Sequence, residues 1–142
     1  MDTFFNTFSH LKSYFEVSKN FGIQNLYIRG LLPTGRVRFF EHPINDQDKA
    51  SIGRCSMNYT IQEVCATMLK ISLVALRKII IENNYPVKLH LPVHDEVLSS
   101  AHKDFSEKWK FIQDNEMRKA ADIFLQPGLL GTDTVILDKW TK

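Results

Sequence analysis

The stretch that decides the fold lies at residues 87–98, where the chain has the sequence Val-Lys-Leu-His-Leu-Pro-Val-His-Asp-Glu-Val-Leu. Apolar and polar residues alternate over residues 87–91 and again, more briefly, over residues 96–98, which predicts two β-strands. The polar segment His94-Asp95-Glu96 is then predicted to form the tip of an antiparallel hairpin. Two adjacent carboxylates at a tip suit a hard divalent cation, although an ordinary hairpin turn is equally polar.

Helical periodicity dominates on both sides of this hairpin. Apolar residues recur every three or four positions from about residue 50 to residue 84, and again over residues 105–124. Residues 83–86 and the pair Pro127-Gly128 are predicted to end these two helices. Residues 134–137 are predicted to form a last strand. Strand pairs placed between long helices predict an α+β fold with an antiparallel sheet packed on the helices.

The N-terminal third is predicted to contain a helix over residues 3–20 that stops at residues 20–22. Two short β-prone runs follow at residues 26–28 and 37–40, joined through Gly30, Pro33 and Gly35, and residues 43–49 have the composition of a polar linker. The helix has an aromatic stripe with little chain before it, so we expect the stripe to dock on a partner polypeptide. The stripe comprises Phe4, Phe5, Phe8, Leu11, Tyr14 and Phe15.

The length, composition and charge of the chain limit the classes of function that it could have. The chain has 142 residues, which is long enough for one domain with its own core. Its composition, with 44% hydrophobic and 24% charged residues, argues against wholesale disorder. A net charge of +2 indicates no global attraction to nucleic acid, although a locally basic face is compatible with it. Cys55 and Cys65 match neither a metal site nor a disulfide framework, which favours a reducing cytoplasm. With no signal peptide or long apolar run, we expect no membrane partner.

Three polar residues in the long helix form a row. Arg54, Asn58 and Gln62 recur every four positions and therefore share one helix face. Such donors suit phosphate, sugar and minor-groove acceptors, while a plain solvated helix face has the same appearance. Thirty-two residues separate Gln62 from His94, so the row precedes the acidic hairpin in a fixed order.

In this order and spacing the chain resembles the C-terminal part of the family A DNA polymerases, of the bacterial polymerase I and phage type. The matching elements are Arg54-x3-Asn58-x2-Ile61-Gln62, Val93-His94-Asp95-Glu96-Val97, and a closing strand ending in Trp140. Thr34-Gly35-Arg36-Val37-Arg38 is similar to the segment between fingers and palm, and the aromatic helix is similar to the one after the nucleotide-binding helix of the fingers. The resemblance implies the end of the fingers with a connecting arm over residues 1–49, and a partial palm over residues 50–142.

The resemblance also implies roles for single residues. Asp95 would match the metal-binding aspartate of the palm, Glu96 a neighbouring carboxylate of lesser importance, and His94 a group near the primer terminus. The implied DNA contacts are Arg54, Asn58 and Gln62, with Arg36, Arg38 and Lys70 as phosphate contacts that could equally be solvated charge. The implied cofactor is Mg²⁺ in a two-metal site, and the implied partners are primer-template DNA and a deoxynucleoside triphosphate.

The family's other aspartate and its nucleotide-binding helix belong upstream of this segment, so we expect a separate N-terminal polymerase polypeptide to supply them and this chain to be inactive alone. Two positions depart from the family pattern. Glu63 replaces a glycine and would bring bulk and negative charge near DNA, and Pro92 replaces a glutamine, which favours an edge strand or a bulge. Two alternatives remain: a non-catalytic DNA-binding or interaction remnant of a fragmented polymerase gene, and an unrelated α+β domain.

Overall fold

The computed structural model describes residues 2–30 and 34–140, without the side chains of Asp2 and Thr3. Two antiparallel two-stranded sheets lie between long helices, which confirms the predicted α+β class. The chain divides into two compact units, Met1–Val64 and Cys65–Lys142. The elements are α1 (Asp2–Thr7), α2 (Ser9–Asn25), β1 (Tyr27–Arg29), β2 (Val37–Phe39), α3 (Asp46–Asn83), β3 (Val87–Val93), β4 (Glu96–Ala101), a 3-10 turn (Lys103–Phe105) and α4 (Ser106–Asp122).

The first helical region begins within one residue of the prediction, and differs from it in the middle and at the C-terminal end. The helix predicted over residues 3–20 is interrupted at Phe8 and continues to Asn25. Gly22, predicted to belong to the stop, is a buried residue inside α2, because Ser56 of α3 packs against its bare α-carbon. The helix ends instead at Leu26, which adopts a left-handed conformation (φ 59°) and donates its backbone N–H to the Gly22 carbonyl oxygen at 3.0 Å.

The short β1–β2 hairpin forms where the sequence predicts it. Tyr27 pairs with Phe39 and Arg29 with Val37 in an antiparallel register. Beyond the last pair, the N–H of Gly30 donates to the carbonyl oxygen of Arg36 at 2.7 Å and extends the ladder toward the connection. Residues 31–33, including the proline predicted for this connection, lie outside the described residues.

The long helix α3 begins four residues earlier than predicted, within the segment assigned to a polar linker. The side-chain oxygen of Asn45 accepts a hydrogen bond from the backbone N–H of Asp48 at 2.8 Å, and the Asp48 carboxylate accepts one from the N–H of Ile44 at 2.9 Å. The bond to Asn45 satisfies an N–H group of the first turn, which has no partner within the helix, and the bond from Ile44 ties the preceding chain to that turn. Asp46 and Asp48 also place negative charge in the first turn, where the helix dipole favours it.

The end of α3 is as predicted. Asn84 follows the last helical residue with φ 49°, a left-handed conformation that asparagine tolerates better than most residues. The N–H of Tyr85 then donates to the carbonyl oxygen of Ile80 at 3.0 Å and closes the last turn. Pro86 turns the chain directly into β3.

The hydrophobic core of the second unit joins α3 and α4 to the β3–β4 hairpin. Its buried members are Leu76 of α3, Val87 of β3, Val97 of β4 and Trp109 of α4. Half-buried apolar residues surround them, including Leu69, Leu73, Ile80, Tyr85, Leu89, Phe105, Ile112 and Met117. Because a two-stranded hairpin is at best marginally stable alone, this packing supplies most of what holds β3 and β4 in place.

A buried hydrogen-bond network fastens β4 to α4. The indole N–H of Trp109 donates to Ser99 Oγ at 2.8 Å and to Gln113 Oε1 at 3.1 Å, and Ser99 Oγ also donates to Gln113 Oε1 at 2.8 Å. The Gln113 amide donates in turn to the backbone carbonyl oxygen of Val97 at 3.1 Å. Every polar atom named here has a partner, which is the condition under which a buried network stabilises a fold.

Two features of the hairpin and the tail bear on the predictions. β3 has an unpaired edge within the described residues, and its register shifts between Leu89 and Leu91, as expected of a strand that contains Pro92. The strand predicted at residues 134–137 is wrong, because those residues are irregular. Hydrogen bonds from Thr134 to Asp114 and from Arg118 to Thr132 instead tie this segment to α4.

We predict that Gly22→Ala destabilises the chain. A methyl group there would stand 2.7 Å from the Ser56 β-carbon and closer still to its hydroxyl. Overpacking of this kind costs about 1–3 kcal/mol, against a gain of about 1 kcal/mol from alanine in a helix. Urea unfolding measures the difference. Gly131→Ala, where nothing lies within 4 Å, is the control. A Gly22→Ala chain as stable as the wild type would contradict the close approach.

We predict that Gln113→Ala lowers the free energy of unfolding by about 2 kcal/mol, because it leaves a buried carbonyl oxygen on Val97 without its donor. Asn115→Ala, an exposed amide on the same helix, is the matched control and should change stability by less than about 0.5 kcal/mol. Equal effects from the two variants would show that the network does not brace the hairpin.

Candidate functional site

The predicted acidic hairpin tip is a two-residue turn. Val93 and Glu96 form the last cross-strand pair, and His94 and Asp95 make the turn between them. His94 has φ 57°, in the left-handed region that histidine enters more readily than β-branched residues. The structure thus brings His94, Asp95 and Glu96 together at one point, as the sequence predicts.

Both carboxylates of the turn are open to solvent. His94, Asp95 and Glu96 are exposed, whereas Val97, one residue further along β4, is buried in the core. Over residues 2–30 and 34–140, neither Asp95 nor Glu96 has an ion pair or a side-chain hydrogen bond. The turn therefore presents two uncommitted carboxylates on a base that the Gln113 bond to Val97 holds in place.

The predicted polar row is also open to solvent. Arg54, Asn58 and Gln62 are exposed along one face of α3. The opposite face is buried at Ser56, which donates to the Ile52 carbonyl oxygen, and at other small polar and apolar positions, namely Ile52, Thr60 and Val64. Because the buried face holds the helix in place, the guanidinium and the two amides of the row remain available for contacts with a ligand.

Glu63 does not lie beside the row, contrary to expectation. One residue after Gln62 is about 100° around a helix, and this turns Glu63 inward, where its side chain is only 3% exposed. Its carboxylate lies against Gly30 of the β1–β2 hairpin, at a position where any β-carbon on residue 30 would clash with it. The negative charge is therefore removed from the exposed face.

Of the three additional cations predicted from the sequence, one has an ion-pair partner and one a cation–π partner among the described residues. The Arg36 Nε atom lies 3.8 Å from Glu63 Oε1, and this arginine remains 44% exposed on its other side. The guanidinium of Arg38 lies 5.7 Å from the centre of the Phe40 ring, a cation–π contact. Lys70 is exposed on α3.

Sequence reasoning missed the residues that support these groups. Glu63 follows Ser56 by seven positions and Thr60 by three, and this spacing indicates the buried face of α3. Gln113 follows Trp109 by four positions and so lies on the apolar stripe of α4. An amide at such a position indicates a buried hydrogen-bond network. The sequence does not indicate that the Phe39 ring is exposed, because aromatic residues in strands usually pack against neighbouring side chains.

The described residues lack two features that would bear on function. Residues 2–30 and 34–140 include no group of three or more His, Cys, Asp or Glu side chains arranged to hold a metal ion. Over the same ranges, no helix is both long enough and apolar enough to cross a membrane.

Comparisons with known proteins agree with the resemblance. The family model described as DNA polymerase family A matches residues 1–140. DNA polymerase I of Aquifex aeolicus is 27% identical over 141 residues, 99% of this chain and 23% of that protein. DNA polymerase I of Chloroflexus aurantiacus is 29% identical over 105 residues, 73% of this chain and 11% of that protein. The chain thus spans less than a quarter of the curated relatives it matches.

A solved structure shows the same fold. The structure described as the POL domain of Pol1 from M. smegmatis, in complex with DNA primer-template and dNTP, superposes with a TM-score of 0.76 at 21% identity. The match covers 84% of this chain and 21% of that one. The two hairpins and long helices thus form part of a polymerase-domain fold. Since the family model extends over almost every residue, the chain belongs to DNA polymerase family A.

Proposed function

We propose that this chain is the C-terminal part of a DNA-directed DNA polymerase whose active site is completed by a separate polypeptide. The observation that supports it best is the acidic turn: two uncommitted carboxylates at the tip of a braced hairpin, in a chain that matches the family over residues 1–140. In this proposal the chain contributes one metal-binding aspartate and the primer-template contacts, and the partner contributes the other aspartate and the helix that binds the nucleotide.

The turn fits part of a magnesium site. Mg²⁺ takes oxygen ligands and is usually held by one or two carboxylates, with water and substrate phosphate completing its coordination. Asp95 would be the ligand from this chain, and Glu96 an outer carboxylate that adds negative charge. When bound, such ions stabilise charge on the attacking and leaving oxygens of nucleotidyl transfer. His94, beside Asp95 on the same turn, is proposed to donate a hydrogen bond near the primer terminus.

The polar row on α3 is proposed to position the DNA. Arg54 would contact a phosphate, and the amides of Asn58 and Gln62 would donate to minor-groove acceptors, which every base pair presents. Arg38 and Lys70 are proposed as further phosphate contacts, together with the exposed side of Arg36. Sequence-independent contacts of this kind suit an enzyme that must accept any template.

A partner polypeptide accounts for the exposed aromatic residues of α1 and α2. Phe4 and Phe8 are both half exposed and contact each other, with ring centroids 5.0 Å apart. Tyr14, further along α2, is anchored by donating its hydroxyl to the Met57 carbonyl oxygen at 3.2 Å. We propose that the exposed rings pack on the polypeptide that bears the remaining polymerase elements. A phage-like lineage and a cytoplasmic location, in a bacterium or an infected cell, belong to the same proposal.

The central prediction concerns Asp95→Ala. In primer extension with Mg²⁺ and four deoxynucleoside triphosphates, we expect a mixture of this chain with the polypeptide encoded next to it to be active. Asp95→Ala should lower that activity by about 100-fold or more, the order of magnitude for losing a group that stabilises transition-state charge.

The control is Asp138→Ala, which removes an exposed carboxylate outside the hairpin and should leave extension unchanged. Gel filtration of the mixtures establishes that both variants still assemble with the partner. Wild-type activity in an assembled Asp95→Ala mixture would refute the assignment of the aspartate.

The alternative function, a non-catalytic DNA-binding or interaction module, is favoured by one observation. The row of Arg54, Asn58 and Gln62 is complete within this chain and exposed, so duplex binding by it needs no second polypeptide. This alternative predicts binding to primer-template that Asp95→Ala does not weaken, and no extension in any mixture.

Salt dependence tests the row under both functions. Arg54→Ala should weaken binding to primer-template and reduce the slope of log K against log salt by about 0.9, the value for one phosphate contact. Asn58→Ala should weaken binding without changing the slope, because an amide displaces no counterion. Arg77→Ala, an exposed arginine further along α3, is the matched control. An unchanged slope for Arg54→Ala would exclude a phosphate contact at this residue.

A further inference from the structure

The β1–β2 hairpin has one face that the first unit does not cover. Alternate residues of a strand point to opposite faces, and cross-strand partners share a face. The pairs Tyr27–Phe39 and Arg29–Val37 therefore lie on one face, and Ile28 lies on the other. Ile28 is buried, whereas Phe39 is 77% exposed and Arg29 is exposed, so the Tyr27–Phe39 face looks outward.

Three aromatic rings and a guanidinium form a continuous surface on this outward face. The ring centroids of Phe21 and Tyr27 are 5.3 Å apart with an edge-to-face geometry, and those of Tyr27 and Phe39 are 6.2 Å apart. The Arg29 guanidinium carbon lies 5.7 Å from the centre of the Tyr27 ring. We call Phe21, Tyr27, Phe39 and Arg29 the aromatic platform.

The charge around the platform points to a polyanion. Residues 27–40 include three arginines and no aspartate or glutamate. Arg36 lies 3.8 Å from Glu63, and Arg38 pairs with Ile28 on the opposite face, whereas Arg29 lies on the platform face and has no ion pair among the described residues. A purely apolar partner on this face would have to desolvate the Arg29 guanidinium at a cost, while a phosphate would pair with it.

We propose that the aromatic platform binds single-stranded DNA by stacking one or two unpaired bases, with Phe39 as the stacking ring and Arg29 as the phosphate contact. This inference rests on the proposed function, in which the chain handles a template with an unpaired region. Exposed aromatic rings beside arginines are the recurring means of binding single strands without sequence preference, since every base has a π-face.

The test compares two labelled oligonucleotides of about twelve nucleotides, an oligothymidylate and an abasic strand of the same length and charge. Fluorescence anisotropy with the full chain at low salt gives the affinity for each. We expect the oligothymidylate to bind more tightly, and Phe39→Ala to weaken it about five-fold or more while leaving the abasic strand unchanged. Phe39→Trp should retain binding, and Phe39→Leu, which is apolar without a ring, should lose it.

Phe111→Ala is the matched control, because this ring on α4 is 73% exposed and outside the platform. Equal binding of the oligothymidylate by wild type and Phe39→Ala would overturn the proposal. Equal weakening of binding to both oligonucleotides would also overturn it. A Phe39→Ala chain that loses only its association with the partner polypeptide would do the same. If extension by the mixture persists in those cases, the inference alone has failed. If base-dependent binding persists without extension, the proposed function alone has failed.

Discussion

The indole of Trp109 packs against Leu76, Val87 and Val97 and donates its N–H to Ser99 and Gln113. Through these contacts one side chain joins α3, both strands of the β3–β4 hairpin and α4. A two-stranded hairpin has little stability of its own, so the direction in which its tip points depends on this cluster. The acidic segment His94-Asp95-Glu96 ends one residue before Val97, and the position of Asp95 is therefore determined by packing and hydrogen bonds at the base of the hairpin.

The first unit shows how a substitution at a family glycine is accommodated. Glu63 is directed inward by helix geometry, and its bulk is accepted because Gly30 opposite it has no side chain. The charge is offset by Arg36, whose Nε atom lies 3.8 Å from Glu63 Oε1 and which directly precedes β2 of the same hairpin. Glu63 thus links α3 to the β1–β2 hairpin, and the exposed row of Arg54, Asn58 and Gln62 has no added negative charge beside it.

The sequence predicts those parts of the structure that local patterns specify. Alternation and a polar turn located the β3–β4 hairpin with Asp95 at its tip, and Asn83-Asn84 marked the end of α3. The errors arise where tertiary contacts outweigh local signals: Gly22 continues a helix because Ser56 occupies the space beside it, and residues 134–137 have strand propensity but no strand to pair with. Asn45, a residue type favoured at helix N-caps, lies within the predicted linker and starts α3 there. The order of the motifs carries the polymerase resemblance, and the spacing of Glu63 from Ser56 and Thr60 indicates its buried face, whereas the contact of Glu63 with Gly30 depends on the tertiary fold.

The central claim is that one active site is shared between this chain and a second polypeptide. The most direct measurement is the initial rate of primer extension while this chain is titrated into a fixed amount of the polypeptide encoded next to it, with Mg²⁺ and all four nucleotides present. The account predicts no extension from either polypeptide alone and a rate that saturates at one copy of this chain per partner. Extension by this chain alone, or a partner whose rate does not respond to the titration, would contradict it.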